Sequence, residues 1–378
     1  MKKWLAVLGS GTLLAVMGLL ITMRIAFGGG EAYPDLTTLP TLPQGSIEAA
    51  VQSDRPIGNA AVAADGRVFY TIHPESNPDY PKLYVSKDGQ SSPFPASKKQ
   101  AALFNTPLGV TIDQQNRLWV IDPANHGTGQ PALIAFDIDS GESVHRFEFA
   151  SAVAPVGSFL QDHQVSSDGK WVYIADVGFW TKSPAIIVYD VEQGIARRVL
   201  NEHKSLYPQN YLIRTQIRDM SYLGGILEMK TGIDGIALSR DDQWLYYAAM
   251  NHTSMFRIPT SALQDSGLSD TTMAASIENV GNKPLNDGLS IDRQGNVFIT
   301  DVEHQAVVKM TPQGELETIV KDSRIRWADG LSFGPDGWLY LADSAIPHLV
   351  LQSPDYIASQ APFYIWRFKP GTTGAAGQ

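Results

Sequence analysis

A short pattern recurs six times along this chain, and it decides what the chain can fold into. Its clearest copy occupies residues 286–301. Leu289 and Ile291 alternate with polar neighbours, Arg293-Gln294-Gly295-Asn296 interrupts, and Val297 and Ile299 resume the alternation up to Asp301. Apolar residues at every second position give a strand one buried face. A polar tetrapeptide containing glycine between two such runs makes a tight turn. The copy is therefore a β-hairpin. Its counterparts lie at 58–71, 108–122, 161–176, 233–247 and 327–343, with turn markers at Gly66, Asn116, Gly169, Asp242, Gly295 and Gly337. The markers are spaced by 50, 53, 73, 53 and 42 residues.

A period of roughly 40–50 residues matches one four-stranded blade. Such a sheet cannot bury both faces alone, and radial stacking buries them against neighbours. The pattern predicts an all-β, six-bladed β-propeller over 46–370. Residues 46–51 and Phe363-Tyr364-Ile365-Trp366-Arg367-Phe368 read as strands from the two termini that close the ring together, which removes an exposed sheet edge. Their order is not readable. The Gly-, Pro- and Thr-rich 28–45 reads as a tether, and 371–378 as a disordered tail. The long third interval holds roughly 20 extra residues around 201–231. That excursion is expected over one face, either as a lid on a ligand or as a packed surface loop.

Lys2 and Lys3 precede an apolar run from Trp4 to Ile25, broken by a charge at Arg24. This is the layout of a signal peptide or membrane anchor, so residues 1–27 are expected to export the propeller to the periplasmic or extracellular side. There it would be either secreted or anchored by residues 4–25. The net charge of −10 excludes the basic surface a nucleic-acid partner needs. The absence of cysteine excludes disulfides and thiolate metal sites. No nucleophile-elbow, phosphate-loop, zinc-helix or dinucleotide glycine motif is present. A small molecule is the expected partner, and the oligomeric state is not readable.

Asp234, Asp287 and Asp329 each precede a glycine at the start of an inner strand in three consecutive repeats. Sixfold geometry brings such positions together around the axis, where like charges repel unless protonated or neutralised by a cation. An all-oxygen set suits calcium, so these three are the candidate metal ligands. The competing expectation is that each caps its strand entry. Asn59, Asn286 and Asp162 fall at or near the same register and would complete a shell. His163 beside Asp162 is the candidate general base. His252 and His304, after the second strand of their repeats, are further candidates for ligand binding at the rim. Asp122, Asp176, Asp301 and Asp343 end the second strand of four repeats and are expected to fasten turns.

The run Asp234-Gly235-Ile236-Ala237-Leu238-Ser239, then Leu245-Tyr246 and Arg257-Ile258-Pro259-Thr260 ahead of Leu263, resembles the major royal jelly protein/Yellow family. Leu118-Trp119-Val120-Ile121-Asp122 with residues 131–137, and Ala175-Asp176 with Ile187-Val188-Tyr189-Asp190, resemble that family's second and third blades. The likeness runs over most of 55–345 and includes the bacterial L-dopachrome tautomerase-related members. It implies a secreted six-bladed propeller. Dopachrome-converting activity is attributed to some members, while others bind amines or serve as nutritive or structural proteins. The family has no agreed triad, so no catalytic residue carries over, and this chain lacks the cysteines of the insect members.

The chain is more distantly similar to calcium-dependent gluconolactonase and paraoxonase-like lactonases, in which the residue before the blade glycine ligates calcium. Asp287 matches that pattern. Asp234 stands where asparagine is usual, and Leu108 replaces a polar ligand. The expected function is binding, and isomerisation, of a small polar or aromatic molecule at the central channel. The alternatives are a calcium-dependent lactonase and a non-catalytic binding or scaffold propeller.

Overall fold

The computed structural model describes residues 16–25, 27–201 and 203–377. Six four-stranded antiparallel sheets follow one another around an axis, with inner strands Ile57–Val62, Val110–Ile112, Leu160–Val165, Ile233–Leu238, Leu289–Ile291 and Ala328–Phe333. We number the blades one to six in that order. All six turn markers take positive φ, from +56° at Asp242 to +86° at Gly66, which only Gly, Asn and Asp adopt at low cost. These turns define one face of the ring. The opposite face carries the loops that enter each inner strand.

The ring closes with strands from both termini. Glu48–Ser53 pairs with Phe363–Phe368 as the outermost strand of blade six, and Arg367 Nη2 meets Glu48 Oε2 at 3.1 Å across that seam. The segment before it is fastened rather than free. Thr38 and Thr318 exchange hydrogen bonds at 2.7 and 2.9 Å, and the Leu42 N–H donates to the Ile319 carbonyl. The tail is bound too: Gly377 donates to the Phe333 carbonyl and accepts from the Ile112 N–H, so 373–377 crosses the turn face of the axis. Small residues that read as disorder in sequence are what let that backbone approach, because a Cβ on Gly374 would collide with the Phe333 ring.

The 201–231 insertion packs over the loop face. Its Leu212, Ile213, Met220 and Tyr222 join Met250, Leu285, Trp327, Ile346 and Leu349 in one buried cluster. It therefore roofs the axis. No helix among the described residues is long and apolar enough to cross a membrane. Most of the expected signal or anchor lies outside the described residues.

The aspartates that end the second strands do fasten turns. Asp122 accepts from the Asn105, Thr106 and Ala124 N–H groups, Asp176 from Phe159 and Gly178, and Asp301 from Glu303 and His304. Asp343 accepts from Arg326 and Trp327, and pairs with the Arg326 guanidinium at 3.3 Å. Asp122, Asp176 and Asp343 pin the loop entering their own blade's inner strand to the exit of the second strand, whereas Asp301 fastens only the turn that follows it. Asp343→Ala orphans two buried donors and a partly buried cation. It is expected to cost about 3 kcal/mol, read as a lowered midpoint in urea with an unchanged slope.

Candidate functional site

Strand pairing fixes the inner-strand register. Counting back from the turn, equivalent positions are Gly58, Leu108, Gln161, Asp234, Asp287 and Asp329, followed by Asn59, Gly109, Asp162, Gly235, Gly288 and Gly330. Asn59 and Asp162 therefore sit one residue deeper than the three aspartates. The pairing shifts at this point in blades one, three, four and six, and such bulges re-aim side chains. Glycine in the deeper layer has a packing cause. A Cβ on Gly235 or Gly288 would clash with the Asp287 or Asp329 carbonyl of the next blade, and one on Gly330 would meet Asn59 Oδ1 at 2.7 Å.

The result is a two-storey axis. Asn59 Nδ2 donates to Asp162 Oδ1 at 3.1 Å, from blade one to blade three. Above this bar is a chamber of about 60 Å³ lined by Asp234, Asp287, Trp327, His73, Gln161 and Met250, with Met229 and Thr231 of the insertion. Below it a void of about 20 Å³ is bordered by Asp162, His163, Gln164 and Gly377. The upper chamber shares Glu75, His126 and Phe159 with an outer basin of about 530 Å³, which adds Asn125, Val156 and Trp180.

Trp327 Nε1 donates to Asp287 Oδ2 at 2.6 Å, whereas neither Asp234 oxygen has a hydrogen-bond donor. Burial raises Asp234 well above the usual carboxylate range, and the charge of Asp287 adds to that. Asp329 is raised for the same two reasons. Asp162 is pushed up to about 8 by burial and by Asp287, against the Asn59 hydrogen bond. The surface Asp162 retains faces the void beneath it, so the carboxyl is still enclosed by protein. Burial also raises Asp287, but the Trp327 hydrogen bond and the adjoining Asp234 carboxyl hold it to about 6. The Trp327 hydrogen bond thus makes Asp287 the more readily ionised of the pair and leaves Asp234 the one that holds its proton more tightly.

The mouth adds a feature that the repeat does not announce. Ala124, Asn125, His126 and Gly127 all take left-handed φ, between +49° and +68°, an arrangement costing roughly 1–3 kcal/mol per non-glycine residue. The turn lays the His126 ring on Phe159, with centroids 4.3 Å apart. His126 Nε2 meets Glu75 Oε1 at 2.9 Å, and Nδ1 is left without a partner. Burial pushes Glu75 up, but that hydrogen bond and the nearby histidines outweigh it and hold it below the usual glutamate range. Burial lowers His73 to about 4. The one signal in the sequence was Asn125-His126-Gly127, separated by two residues from the strand-end Asp122.

The other candidates are dispersed. His163 aligns with Ala60, Val110, Ile236, Leu289 and Leu331, an apolar slot between blades. Burial there lowers it to about 3, its ring nitrogens lack hydrogen-bond partners, and no bond joins it to Asp162. Asn286 Nδ2 bonds the Asp287 carbonyl. His252 Nδ1 accepts from the Ser254 N–H, with its ring edge-on to Phe256. His304 bridges Asp301, at 2.9 Å, and Asp35, at 3.7 Å. Among the described residues, the trio whose donor atoms all lie within 4.8 Å of one another is Asp35, Asp301 and His304, not the axial aspartates. Lys321 stands 3.7 Å from Asp35 in that group, so it is an ion-pair network tying the N-terminal arm to blade five.

A family model described as major royal jelly protein matches residues 106–367. Major royal jelly protein 9 of Apis mellifera is 25% identical over 215 residues, 52% of this chain and 48% of that protein. The chain thus spans about half the length of this curated relative. Two solved structures share the fold. A gluconolactonase from Xanthomonas campestris gives TM-score 0.53 at 13% identity, covering 90% of this chain and 97% of that one. A calcium-binding protein, regucalcin, from Agrobacterium tumefaciens gives TM-score 0.52 at 13% identity, covering 87% and 96%.

Proposed function

Since the chain belongs to the major royal jelly protein family, we propose that it binds and isomerises a small polar or aromatic molecule, dopachrome-like in chemistry, at the loop-face mouth of the axis. One observation carries this reading: two buried carboxyls, Asp287 held by the Trp327 N–H and Asp234 without a donor, share the closed end of an aromatic-walled entrance. The basin has room for a ring against Phe159 and Trp180, and the chamber admits only its polar end. Asp287, held by Trp327, takes a proton from the carbon beside a carbonyl. Asp234 gives its proton to the carbonyl oxygen, and the proton now on Asp287 passes to the adjoining Asp234. No atom is lost, and the pair regains its original protonation. Neighbouring acids with separated pKa values divide the labour in this way.

A second reading, calcium-dependent lactone hydrolysis, draws on the unpartnered oxygens of Asp234 and on the likeness to regucalcin and gluconolactonase folds. The all-oxygen donor set suits a hard cation, but the spacing does not fit as it stands. Bound calcium would polarise a lactone carbonyl, with Asp234, Asp287 and Asp329 as its holders. Turnover of L-dopachrome is expected to rise with pH through about 6 and to be unaffected by a calcium chelator. Lactone hydrolysis lost on chelation, with no dopachrome turnover above background, would transfer the assignment to the second reading. Absence of both activities would leave a binding propeller.

A further inference from the structure

We propose that the loop face, with the mouth at its centre, lies against a lipid bilayer. The evidence is the distribution of exposed apolar side chains. On that face Val156 is 71% exposed, Trp180 61%, Leu223 64% and Leu351 72%, with Ile217 and the tyrosines 80 and 356 also uncovered. The turns of the opposite face expose no large apolar residue among those described. Outside the loop face, Leu39 lies on the N-terminal arm, and Val144 and Ile195 lie on outer strands at their turn-face ends. Single exposed apolar residues are ordinary, but their segregation to one side is not.

The same face carries the chain's apolar helix. Residues 16–25 are helical, and Arg24 Nη1 donates to the Gly225 carbonyl at 2.6 Å, in the hairpin that exposes Leu223. Lys230 Nζ bonds the Gly28 carbonyl at 3.0 Å, and Lys182 Nζ lies 5.7 Å from the Phe27 ring. Val16, Met17, Leu19, Leu20, Ile21 and Ile25 are all exposed. They surround the helix instead of forming one stripe, so no protein surface can bury them from a single side, whereas hydrocarbon can. In the sequence the apolar run continues back to Trp4 between Lys3 and Arg24. Since this helix joins the propeller on the loop face, the bilayer that takes it must lie on that side. The cations Arg24, Lys182 and Lys230 then sit at headgroup depth, with Trp180 and the exposed apolar tips reaching past them. This placement is independent of whether the mouth performs chemistry.

The chain contains no cysteine, so single reporters can be introduced cleanly. Val156→Cys, Leu223→Cys and Leu351→Cys, with Val144→Cys and Gln294→Cys as controls, would be made in the full chain. Each would carry a polarity-sensitive fluorophore and be reconstituted in vesicles of equal parts zwitterionic and anionic phospholipid containing a lipid-borne nitroxide quencher. The expected result is a blue shift and several-fold stronger quenching at 156, 223 and 351 than at 144 and 294. Equal, water-like emission at all five positions, with the protein either held only by its N-terminal segment or not bound at all, would overturn the proposal.

Discussion

Asp287→Asn is expected to lower isomerase turnover by roughly 10²–10⁴-fold while leaving the propeller folded and more stable at neutral pH. The two effects share a cause. Asparagine keeps an oxygen to accept the Trp327 N–H, so the side chain remains seated, but it cannot take a proton. It also removes the charge that raises Asp234, Asp162 and Asp329. A buried charge that burdens the fold and serves the reaction is a recognised trade between stability and activity. Turnover and thermal midpoint measured on the same sample separate this from damage: falling activity with a rising midpoint supports the assignment. Unchanged turnover in a folded variant would remove Asp287 from the chemistry.

Asp162→Asn is expected to stabilise the protein at pH 8 and to have no such effect at pH 4. A carboxyl whose folded pKa lies above its unfolded value holds its proton more tightly when folded. Its stabilisation is whole below the usual 3.8 and is lost as pH rises through the folded value, about 8. At about 1.4 kcal/mol per pH unit, the loss has an upper bound on the order of 5 kcal/mol, reduced by the surface Asp162 shows to the lower void. Asparagine keeps the oxygen that Asn59 donates to and has no proton to lose. A midpoint roughly 5–10 °C higher than wild type at pH 8 in cation-free buffer, converging with it at pH 4, is the expected calorimetric signature. A uniform shift at both pH values would mean that Asp162 is not held protonated.

The fold was legible because its signals are local. Alternation and turn residues repeat six times, and all six turn markers take positive φ. The closing strands were legible as strands but not in their order, which depends on where the ring happens to meet. The site was legible only as far as radial symmetry carries. Symmetry places Asp234, Asp287 and Asp329 at the axis, but strand register sets Asn59 and Asp162 one residue deeper, at the position where the other four blades carry glycine. The same register puts His163 into a slot that other blades fill with aliphatic residues, and adjacency in sequence could not foretell that. Glu75 and His126 meet across two blades through irregular loops, where neither period nor propensity speaks. The tether and tail misled for a related reason. Their Gly, Pro and Thr composition permits disorder, yet it also suits backbone that lies flat against a sheet.

The proposed chemistry requires that, in the cation-free protein, the axial carboxyls other than Asp287 hold their protons. Carboxyl-carbon NMR titration of aspartate-labelled protein, with signals assigned through single Asp→Asn variants, tests it most directly. At pH 7 the expected spectrum has protonated-acid shifts for Asp162, Asp234 and Asp329, and one resonance titrating near 6 that disappears in Asp287→Asn. Four carboxylate shifts at pH 7, all titrating near 4, would contradict it.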